Sequence, residues 1–552
     1  MNRINETLAS AASAASYDSI IPPLVALSLA VIFGSVALHR TNEPPWLKGR
    51  IPIISNSYEY MTDMKGFLER TRIALGQHDL IKVLIGTRRV YMTTTPQHVQ
   101  AMFRSQREMT SDIFMLDVMA YVWGMSPEEL RMWRADRSGR LKNPLPGTED
   151  TPENERLWAG HHHVYSEHLA RAGPVAFLTD LFYARFMEKL ARTYPLGEWK
   201  TVQMLDFFTK DMAEVVLTTF MGTRILELHP DFITRMSEFE SIAHHLAWGL
   251  PRWMNRHPWE VRDRFHSMTR RYLESAWENF DWSGPDADSE WEPNFGARVT
   301  RELAIWMRKS LKPQTAAGLT AAFIIGTDAN AIPMTTWSFM EVVKDPSLFK
   351  AVKEEVREAF VSDPETGSRK LDKKKLIGLP LLQSVYMETL RMHVSINVTR
   401  ELTQPMTMGG YRIEKGSVVQ APSTIAHHDE NIWGADEHPA SEFWGWRHLK
   451  YVEEPDESRK TARKPEFTTA GRTSSFFPYG GGVSICPGRH FAKHEIMMTL
   501  AILLDRFDIE FLSWTTLDGR ESDRAPQNDA RYFGAVGMPP DRDMKVRLRR
   551  VW

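Results

Sequence analysis

The residues FFPYGGGVSICPGR, positions 476–489, are the most informative part of this chain, and they hold its single cysteine. Three consecutive glycines, from Gly480 to Gly482, can adopt backbone angles closed to other residues and let a flat ligand approach the chain closely. Pro487 fits the first position of the helical pattern that follows, which places Cys486 at the N-cap. There, free backbone N–H groups and the helix dipole lower the pKa of a thiol. This environment suits a sulfur bound to iron; the alternative is a glycine-rich turn beside a buried, inert cysteine.

Composition excludes several classes of site and partner. One cysteine cannot form an intrachain disulfide, a Cys-x-x-Cys redox pair or a multi-thiolate zinc site. Lys and Arg number 68 against 70 Asp and Glu, so the net charge of −2 gives no bias toward nucleic acid, and we expect no nucleic-acid partner. A length of 552 residues would allow three or four domains, but no repeat or long linker supports such a division. We expect a single, monomeric domain over residues 53–552.

Hydrophobic patterning predicts a mainly α fold with small β-sheets. Residues 80–85 and 90–93 predict two short strands joined by a turn at Gly86. Helical periodicity dominates from about residue 155 to about residue 360. Strand patterns return at residues 411–413, 417–420, 507–511 and 544–548.

The spacing Tyr-Gly-x-Gly-x-x-x-Cys-x-Gly, leading directly into a helix, resembles the haem-thiolate signature of the cytochrome P450 family. The resemblance implies the cytochrome P450 fold, haem b as the cofactor and Cys486 as the axial ligand of its iron. It also implies that Tyr479, Gly480 and Gly482 adjoin the haem. Tyr479 stands where the family usually has phenylalanine. Ser484 stands where the family usually has an arginine or histidine that reaches a haem propionate, so that contact is in question.

Further segments extend the resemblance. The sequence ETLR, residues 388–391, is similar to the family's Glu-x-x-Arg helix, and FWGWR, residues 443–447, to the later segment that completes a Glu–Arg–Arg cluster. The resemblance implies that Glu388, Arg391 and Arg447 form this structural cluster. Arg400 aligns with an arginine that binds a haem propionate in relatives; its alternative is a surface cation. His162 follows a tryptophan by four residues and either replaces the usual Trp-x-x-x-Arg contact to the other propionate or is one histidine in a run of three.

Residues 315–340 contain one charged residue, Asp328, and predict a long helix. A membrane span and a plain core helix are its alternatives, but Asp328, Asn330 and Pro333 disfavour lipid exposure. Pro333 has no N–H for the carbonyl of Ala329, so the helix should open one turn before the proline. We expect the freed carbonyl and the Asn330 amide to form a polar notch.

In the family this helix crosses the haem and presents an acid and a threonine to the oxygen site. One alignment starts that motif at Gly326; the other, which we prefer, counts back from Trp337 and places Asn330 at the threonine and Ala329 at the acid. In both alignments, a residue other than threonine stands at the family's threonine position. The stretch ANAIPMTTW, residues 329–337, is similar to the branch that contains sterol 7α-hydroxylases and prostacyclin synthase.

Two activities stay open from this branch. Asn330 can donate and accept hydrogen bonds but cannot supply a proton as an acid would. The first activity is a monooxygenase that inserts one oxygen from O2 into its substrate. The second is an isomerase or dehydratase that rearranges a peroxide or oxidised intermediate without O2 or NADPH. A haem carrier without turnover is a third, non-enzymatic alternative.

Family position implies a substrate pocket that is mostly apolar and carries one hydroxyl, on Ser395, and one amide. This wall suits a lipophilic substrate such as a sterol, terpenoid or other secondary metabolite. No glycine-rich nucleotide fingerprint follows a predicted strand, so NADPH electrons would come through a separate NADPH–cytochrome P450 reductase. The residues RHFA at 489–492 are more similar to filamentous-fungal members of the family than to animal members, which favours a role in secondary metabolism. The expected pocket residues are Phe323, Ile324, Val394, Ile396 and Asn397.

The N-terminus predicts a membrane anchor. Residues 20–38 carry no charge, and nineteen helical residues span roughly 28 Å, close to a bilayer's hydrocarbon core. More basic residues follow this segment than precede it, which places the bulk of the chain in the cytoplasm. We therefore expect a luminal segment at 1–19, a single-pass anchor in the endoplasmic reticulum membrane at 20–39 and a proline-rich hinge at 40–52, with membrane lipid as a partner. A cleaved signal peptide is the alternative.

Overall fold

The computed structural model describes residues 43–47, 49, 54–247, 249–362, 369–435, 437–454 and 462–552. Helices dominate these ranges, and the predicted mainly α architecture with small sheets is confirmed. The helices are Ile54–Thr62, Met64–Leu75, Pro96–Arg104, Asp112–Tyr121, Pro127–Ala135, Leu157–Leu169, Ala172–Thr193, Met204–Phe207, Ala213–Met221, Arg224–Leu228, Phe232–Ala247, Arg256–Asn279, Arg298–Ser310, Pro313–Asp328, Ala331–Lys344, Pro346–Arg357, Lys373–Gly378, Pro380–His393, Ser423–His427, Glu430–Trp433 and Arg489–Arg506.

The largest sheet has five strands, and it carries Arg400 on its fourth strand. The strand order is Ile81–Ile85, Arg88–Met92, Val418–Pro422, Asn397–Leu402 and Met109–Thr110. Val418–Pro422 pairs in parallel with Arg88–Met92, and the other pairs are antiparallel. The predicted hairpin is confirmed, and Gly86 adopts the positive φ of 58° that its turn needs.

The remaining strands form one four-stranded sheet and several two-stranded sheets. The four-stranded sheet orders Glu521–Ser522, Phe507–Thr515, Asp543–Arg550 and Trp199–Gln203. The predicted C-terminal strands therefore pair with each other, antiparallel. The two-stranded sheets are Met406–Met408 with Tyr411–Ile413, Leu449–Glu454 with Ala462–Phe467, Trp291–Glu292 with Gly296–Ala297 and Phe360–Ser362 with Arg369–Leu371.

The long helix expected over residues 315–340 is two helices. A first central helix, Pro313–Asp328, ends at the C-cap Ala329, and a second central helix, Ala331–Lys344, begins after Asn330. The predicted opening ahead of Pro333 is thereby confirmed, because the proline offers no N–H to the carbonyl four residues earlier. Every residue of the second central helix from Ala331 to Val342 is buried. It packs against the helices Pro380–His393 and Arg489–Arg506, so this segment is a core element.

In the part of the chain that the structure describes, no helix has the length and apolar character needed to cross a bilayer. The predicted luminal segment at 1–19 and anchor at 20–39 lie outside the described residues. Of the predicted hinge at 40–52, residues 43–47 and 49 are described. Trp46 forms an isolated bridge with Lys82, and the amine of Lys82 lies 4.2 Å from the centroid of the tryptophan ring. The end of the hinge is thus attached to the edge of the five-stranded sheet.

Candidate functional site

The cysteine loop, residues 476–488, is shaped by its glycines. Gly480 and Gly482 adopt positive φ angles of 70° and 66°, which other residues rarely take. A Cβ on Gly481 would lie 2.5 Å from the ring of Phe103, and one on Gly482 would lie 2.4 Å from the Phe103 carbonyl oxygen. The sequence suggested that the glycines make room for a ligand. The structure shows that Gly481 and Gly482 also make room for the end of the helix Pro96–Arg104.

Cys486 lies just before the cysteine helix, Arg489–Arg506, but not at its N-cap. The helix begins at Arg489 with Gly488 as its N-cap, so the predicted N-cap position of the cysteine is wrong by two residues. Burial raises the pKa of the Cys486 thiol, while the backbone N–H groups of Gly488 and Arg489 and the charge of Arg489 lower it. The net direction is upward, so the expected depression of the pKa by the protein alone is wrong. The N–H groups near the sulfur nevertheless favour its anionic, metal-binding form.

The three residues of the expected structural cluster lie in contact and are completely buried. Glu388 accepts two hydrogen bonds of 2.8 Å from Arg391 and one of 2.8 Å from Arg447. It also accepts from the backbone N–H of Trp444 at 3.0 Å and lies 3.2 Å from Nε2 of His448. Burial raises the pKa of Glu388, but hydrogen bonds from Arg391 and His448 outweigh burial and hold it well below its usual range. His448 is a member of the cluster that sequence reasoning missed.

Two contacts connect the helix Pro380–His393, which carries Glu388 and Arg391, to the cysteine loop. Arg391 donates to the carbonyl of His427 at 2.8 Å, and Nε2 of His427 accepts from the backbone N–H of Phe477 at 3.1 Å. The hydroxyls of Tyr386 and Tyr479 form a hydrogen bond of 2.5 Å. Neither contact was predicted. The one signal for the second was Tyr479 itself, since a buried hydroxyl in place of the usual phenylalanine needs a partner.

Basic side chains surround residues 481–484 of the cysteine loop. Nη2 of Arg400 donates to the carbonyl of Gly481 at 3.1 Å, and burial together with the charge of Arg140 lowers the pKa of Arg400 to about 10. Burial and then Arg140 lower the pKa of His162, while an interaction with the backbone of Val483 raises it. Ser484 lies 3.2 Å from Ser111, hydroxyl to hydroxyl. The predicted residues Arg400 and His162 therefore both lie at the loop, and their binding of haem propionates stays a prediction.

These groups fit a haem. A haem needs one axial ligand, space for a flat ring and cations for two carboxylates. The thiol of Cys486 supplies the ligand, and Arg400 supplies a cation beside the cysteine loop. On the first central helix, a Cβ on Gly326 would meet no atom within 4 Å, so this helix faces open space there. Among the described residues no group of three or more His, Cys, Asp or Glu side chains could hold a metal ion, so a multi-ligand metal site is absent from them.

Asn330 lies at the break between the two central helices, next to Ala329. Its Oδ1 accepts a hydrogen bond of 2.8 Å from the backbone N–H of Gly537, which fixes the amide. Asn330 is exposed to solvent, and Ala329 is half-buried. The expected polar notch is therefore bounded by a C-terminal loop that sequence reasoning did not place there.

A buried carboxyl lies two residues before Asn330. Asp328 is 6% exposed, and its Oδ1 has no hydrogen-bond partner among the described residues. Burial raises the pKa of Asp328 to about 7. Burial and then the charge of Asp328 raise the pKa of Glu240, on the helix Phe232–Ala247, well above its usual value. Glu240 was not singled out from the sequence, because its helix shows no motif there.

The structure separates the expected pocket residues into two groups. Phe323 and Ile324 are 5% and 1% exposed, and the Phe323 ring contacts the rings of Tyr165 and Phe220 in the core. The segment that holds Val394, Ile396 and Asn397 instead lies along the C-terminal loop. Val394 bridges Gly537, and the N–H of Asn397 donates to the carbonyl of Gly534 at 3.0 Å. Ile396, in the same segment, is half-buried. Through Gly537, this second group adjoins Asn330.

Comparisons with known proteins show which family this chain resembles over most of its length. The family model described as Cytochrome P450 matches residues 182–522. Cytochrome P450 monooxygenase calL from Penicillium decumbens is 50% identical over 528 residues, 96% of this chain and 97% of that protein. Cholesterol 7-alpha-monooxygenase from Cricetulus griseus is 28% identical over 239 residues, 41% of this chain and 44% of that protein. The solved structure of retinoic acid-bound cyanobacterial CYP120A1 matches with a TM-score of 0.64 at 14% identity, covering 92% of this chain and 99% of that one, which shows a common fold.

Proposed function

The chain belongs to the cytochrome P450 family and is a haem-thiolate monooxygenase in its general class, and from this premise we propose a finer function. The enzyme inserts one oxygen atom from O2 into a lipophilic secondary metabolite, with electrons from NADPH delivered by a separate reductase. The observation that carries the proposal is the cysteine loop, in which Cys486 lies beside the N–H groups of Gly488 and Arg489. The bound haem supplies the iron at which oxygen is activated.

The chain's own residues hold the thiolate in place. Cys486 donates its backbone N–H to the carbonyl of Tyr479 at 3.0 Å, and Arg489 donates to the carbonyl of Cys486 at 2.9 Å. Behind the loop, Glu388 and its two arginines form a buried network without solvent. Buried networks of this kind keep a ligand in one orientation. We therefore assign to them the positioning of Cys486.

At the break between the two central helices, Asn330 offers hydrogen bonds and Asp328 holds a proton. Asn330 is fixed by Gly537 through its oxygen, so its amide N–H groups are the part that can bind water or a substrate oxygen. Asp328 keeps a proton up to about neutral pH, because burial raises its pKa to about 7. A carboxyl that still holds a proton near pH 7 can donate it where an amide cannot. The unpartnered Oδ1 of Asp328, two residues before Asn330, makes this carboxyl our candidate for holding a proton near the break between the two central helices.

The substrate class follows from the wall beside Asn330. Val394 and Ile396 are apolar, and Asn397 adds one amide, a lining suited to a lipophilic molecule with few polar groups. The 50% identical relative is a monooxygenase from Penicillium decumbens, which supports a fungal pathway. The apolar residues 20–38 support anchoring in the endoplasmic reticulum membrane, and the basic residues that follow them support a cytoplasmic catalytic domain.

A second candidate is an isomerase or dehydratase that uses the haem without O2 or NADPH. Its support is Asn330, because the amide stands where the family's threonine is expected and is already bonded to Gly537. Substituting Asn330→Thr separates the two candidates. Improved coupling of NADPH consumption to product would favour oxygen activation, and loss of an electron-independent activity would favour isomerisation.

The first test needs no substrate. The purified ferric protein is mixed with a microsomal reductase, NADPH and carbon monoxide, and the Soret band is followed. We expect a prompt shift to the red band of a thiolate–carbonyl complex. Reduction by dithionite but not by the reductase would favour the isomerase. A carbonyl band typical of histidine-bound haem in intact protein would show that Cys486 is not the ligand.

A further inference from the structure

Arg140 has a position that its sequence context did not reveal. It lies between the helices Pro127–Ala135 and Leu157–Leu169, and its guanidinium stacks over the ring of Trp158 at 4.1 Å from the centroid. Nη2 of Arg140 pairs with Oδ1 of Asp112 at 2.5 Å, and the side chain is 13% exposed. The stacking fixes the plane of the guanidinium and the ion pair fixes its rotation. Arg140 is thus held in one orientation before any ligand binds.

Arg140 and Arg400 share one acidic neighbour, Asp112, which leaves a net positive charge among these three side chains. The charge of Arg140 lowers the pKa of Arg400, and it also lowers the pKa of His162 and of the half-buried His161, so both histidines are neutral at pH 7. The one acidic side chain that acts on Arg400 in the opposite direction is Asp112. Like charges that share a partly buried space destabilise one another unless an anion lies between them. This arrangement therefore fits an anionic ligand.

The same basic residues adjoin the cysteine loop. Arg400 donates to the carbonyl of Gly481 at 3.1 Å, and His162 interacts with the backbone of Val483. Ser484 lies 3.2 Å from Ser111, which immediately precedes the Asp112 that pairs with Arg140. Arg400 and the neutral His162 thus contact the loop that carries the thiol ligand. Arg140 is linked to the same part of the loop through Asp112 and the adjacent Ser111.

We infer that Arg140 binds a haem propionate, together with Arg400, and supplies the permanent positive charge that Ser484 lacks. The ion pair with Asp112 uses one of the five N–H donors of Arg140, so others are available for a carboxylate. Burial lowers the pKa of His162, which therefore donates a hydrogen bond at neutral pH without adding charge. The inference rests on the proposed function only in requiring that the chain binds haem.

Haem retention tests this role without substrate, electrons or O2. The ferric holoenzyme is mixed with excess apomyoglobin, and the rate of haem transfer is followed by the Soret band. We expect Arg140→Met to lose haem about 10- to 100-fold faster, the range for removing a hydrogen bond between charged groups. Arg140→Lys should restore much of the retention because it keeps the charge.

The matched control is Arg262→Met. Arg262 also stacks on a tryptophan, with 4.5 Å to the ring centroid of Trp259, pairs with Asp263 at 2.7 Å and is 13% exposed. Its other hydrogen bond goes to the carbonyl of Tyr121. We expect wild-type haem retention in this variant. Equal rates of haem loss in Arg140→Met and Arg262→Met would overturn the inference.

A second variant separates propionate binding from a merely structural ion pair. If Arg140 only fastens Asp112, then Asp112→Asn and Arg140→Met remove the same pair and should act alike. If Arg140 binds a propionate, Asp112→Asn frees the guanidinium, and haem loss should be no faster than in the wild type. The iron reduction potential should then fall in Arg140→Met and rise in Asp112→Asn, because a nearby positive charge favours the ferrous state. Shifts of the same sign would contradict the inference.

The failure of this inference is distinguishable from failure of the proposed function. All variants should keep the thiolate–carbonyl band, because the contacts of Arg140, with Asp112 and Trp158, do not include Cys486. If the wild-type protein lacks that band, the haem-thiolate assignment itself is wrong. A wild-type band combined with equal haem retention in all variants would remove only the role of Arg140.

Discussion

The hydrogen bond between Tyr386 and Tyr479 makes a prediction that runs against the family pattern. Substituting Tyr479→Phe restores the residue that the family usually carries, yet we expect it to destabilise this protein. Tyr386 is 5% exposed, and its hydroxyl has Tyr479 as its hydrogen-bond partner in the described part of the chain. Removing one partner leaves the other hydroxyl buried and unsatisfied. The cost of such a group is about 1–3 kcal/mol.

A double-mutant cycle tests this reasoning. Tyr386→Phe should cost a similar free energy of unfolding, because it leaves the Tyr479 hydroxyl without its partner. The double variant, with both hydroxyls removed, should cost no more than either single variant, since no buried polar group remains. The measurement is equilibrium unfolding of the holoenzyme in urea, followed by circular dichroism and by the Soret band. Additive effects of the two substitutions, or a neutral Tyr479→Phe, would refute the argument.

The same pair lies close enough to the ligand for a spectroscopic readout. The charge of Cys486 raises the pKa of both tyrosines, after the larger effect of burial. The hydroxyls therefore interact electrostatically with the sulfur of Cys486, and removing them changes the electric field at that sulfur. We expect the thiolate–carbonyl band to persist in Tyr479→Phe but to shift slightly. The control Tyr451→Phe, at an exposed tyrosine, should change neither stability nor spectrum.

Three further predictions concern other parts of the site. Gly481→Ala should prevent haem incorporation, because its Cβ would lie 2.5 Å from the Phe103 ring, and adding Phe103→Ala should restore it, as measured by Soret absorbance. Glu388→Gln should lower the free energy of unfolding by about 3–5 kcal/mol, because two buried arginines lose their counter-charge; a stable variant in urea would contradict this. Asp328 has a raised pKa of about 7, so the folded state keeps a proton that the unfolded state has released above its usual pKa, and stability should fall as pH rises from about 4 to about 7. Asp328→Asn should remove up to about 4 kcal/mol of this decrease, measured by urea unfolding across that pH range.

Local sequence patterns predicted elements of the fold whose physical cause lies within a few residues. The break before Pro333 followed from the missing N–H of the proline, and the hairpin at Gly86 followed from two strand-like segments on either side of the glycine. Motif order placed Glu388, Arg391 and Arg447 on the correct segments, and the structure brings their side chains together. The start of the cysteine helix was misplaced, because Pro487 is acceptable at the first helical position but does not require it.

Contacts between distant segments could not be predicted in the same way. Tyr386 and Tyr479 are 93 positions apart, and Asn330 and Gly537 are 207 apart. Nothing in the spacing of either pair relates the two positions, because the fold as a whole brings them together. Arg140 was missed for a similar reason, since it lies in a poorly patterned segment and only its surroundings give it a role.

The departures from the family pattern in this chain are each met by a distant segment. Tyr479 introduces a hydroxyl, and Tyr386 accepts or donates its hydrogen bond. Asn330 introduces an amide, and the N–H of Gly537 binds its oxygen. Ser484 lacks the cation that the family usually has there. As its replacement we have proposed Arg140, which acts electrostatically on Arg400, and Arg400 donates to the loop carbonyl of Gly481. In the first two cases the introduced polar atom is satisfied, as a buried or confined group requires.

The third case differs in kind, because what is lost is a charge that a bound carboxylate needs. Its replacement must therefore come from a residue that is already oriented, and the stacking on Trp158 gives Arg140 that property.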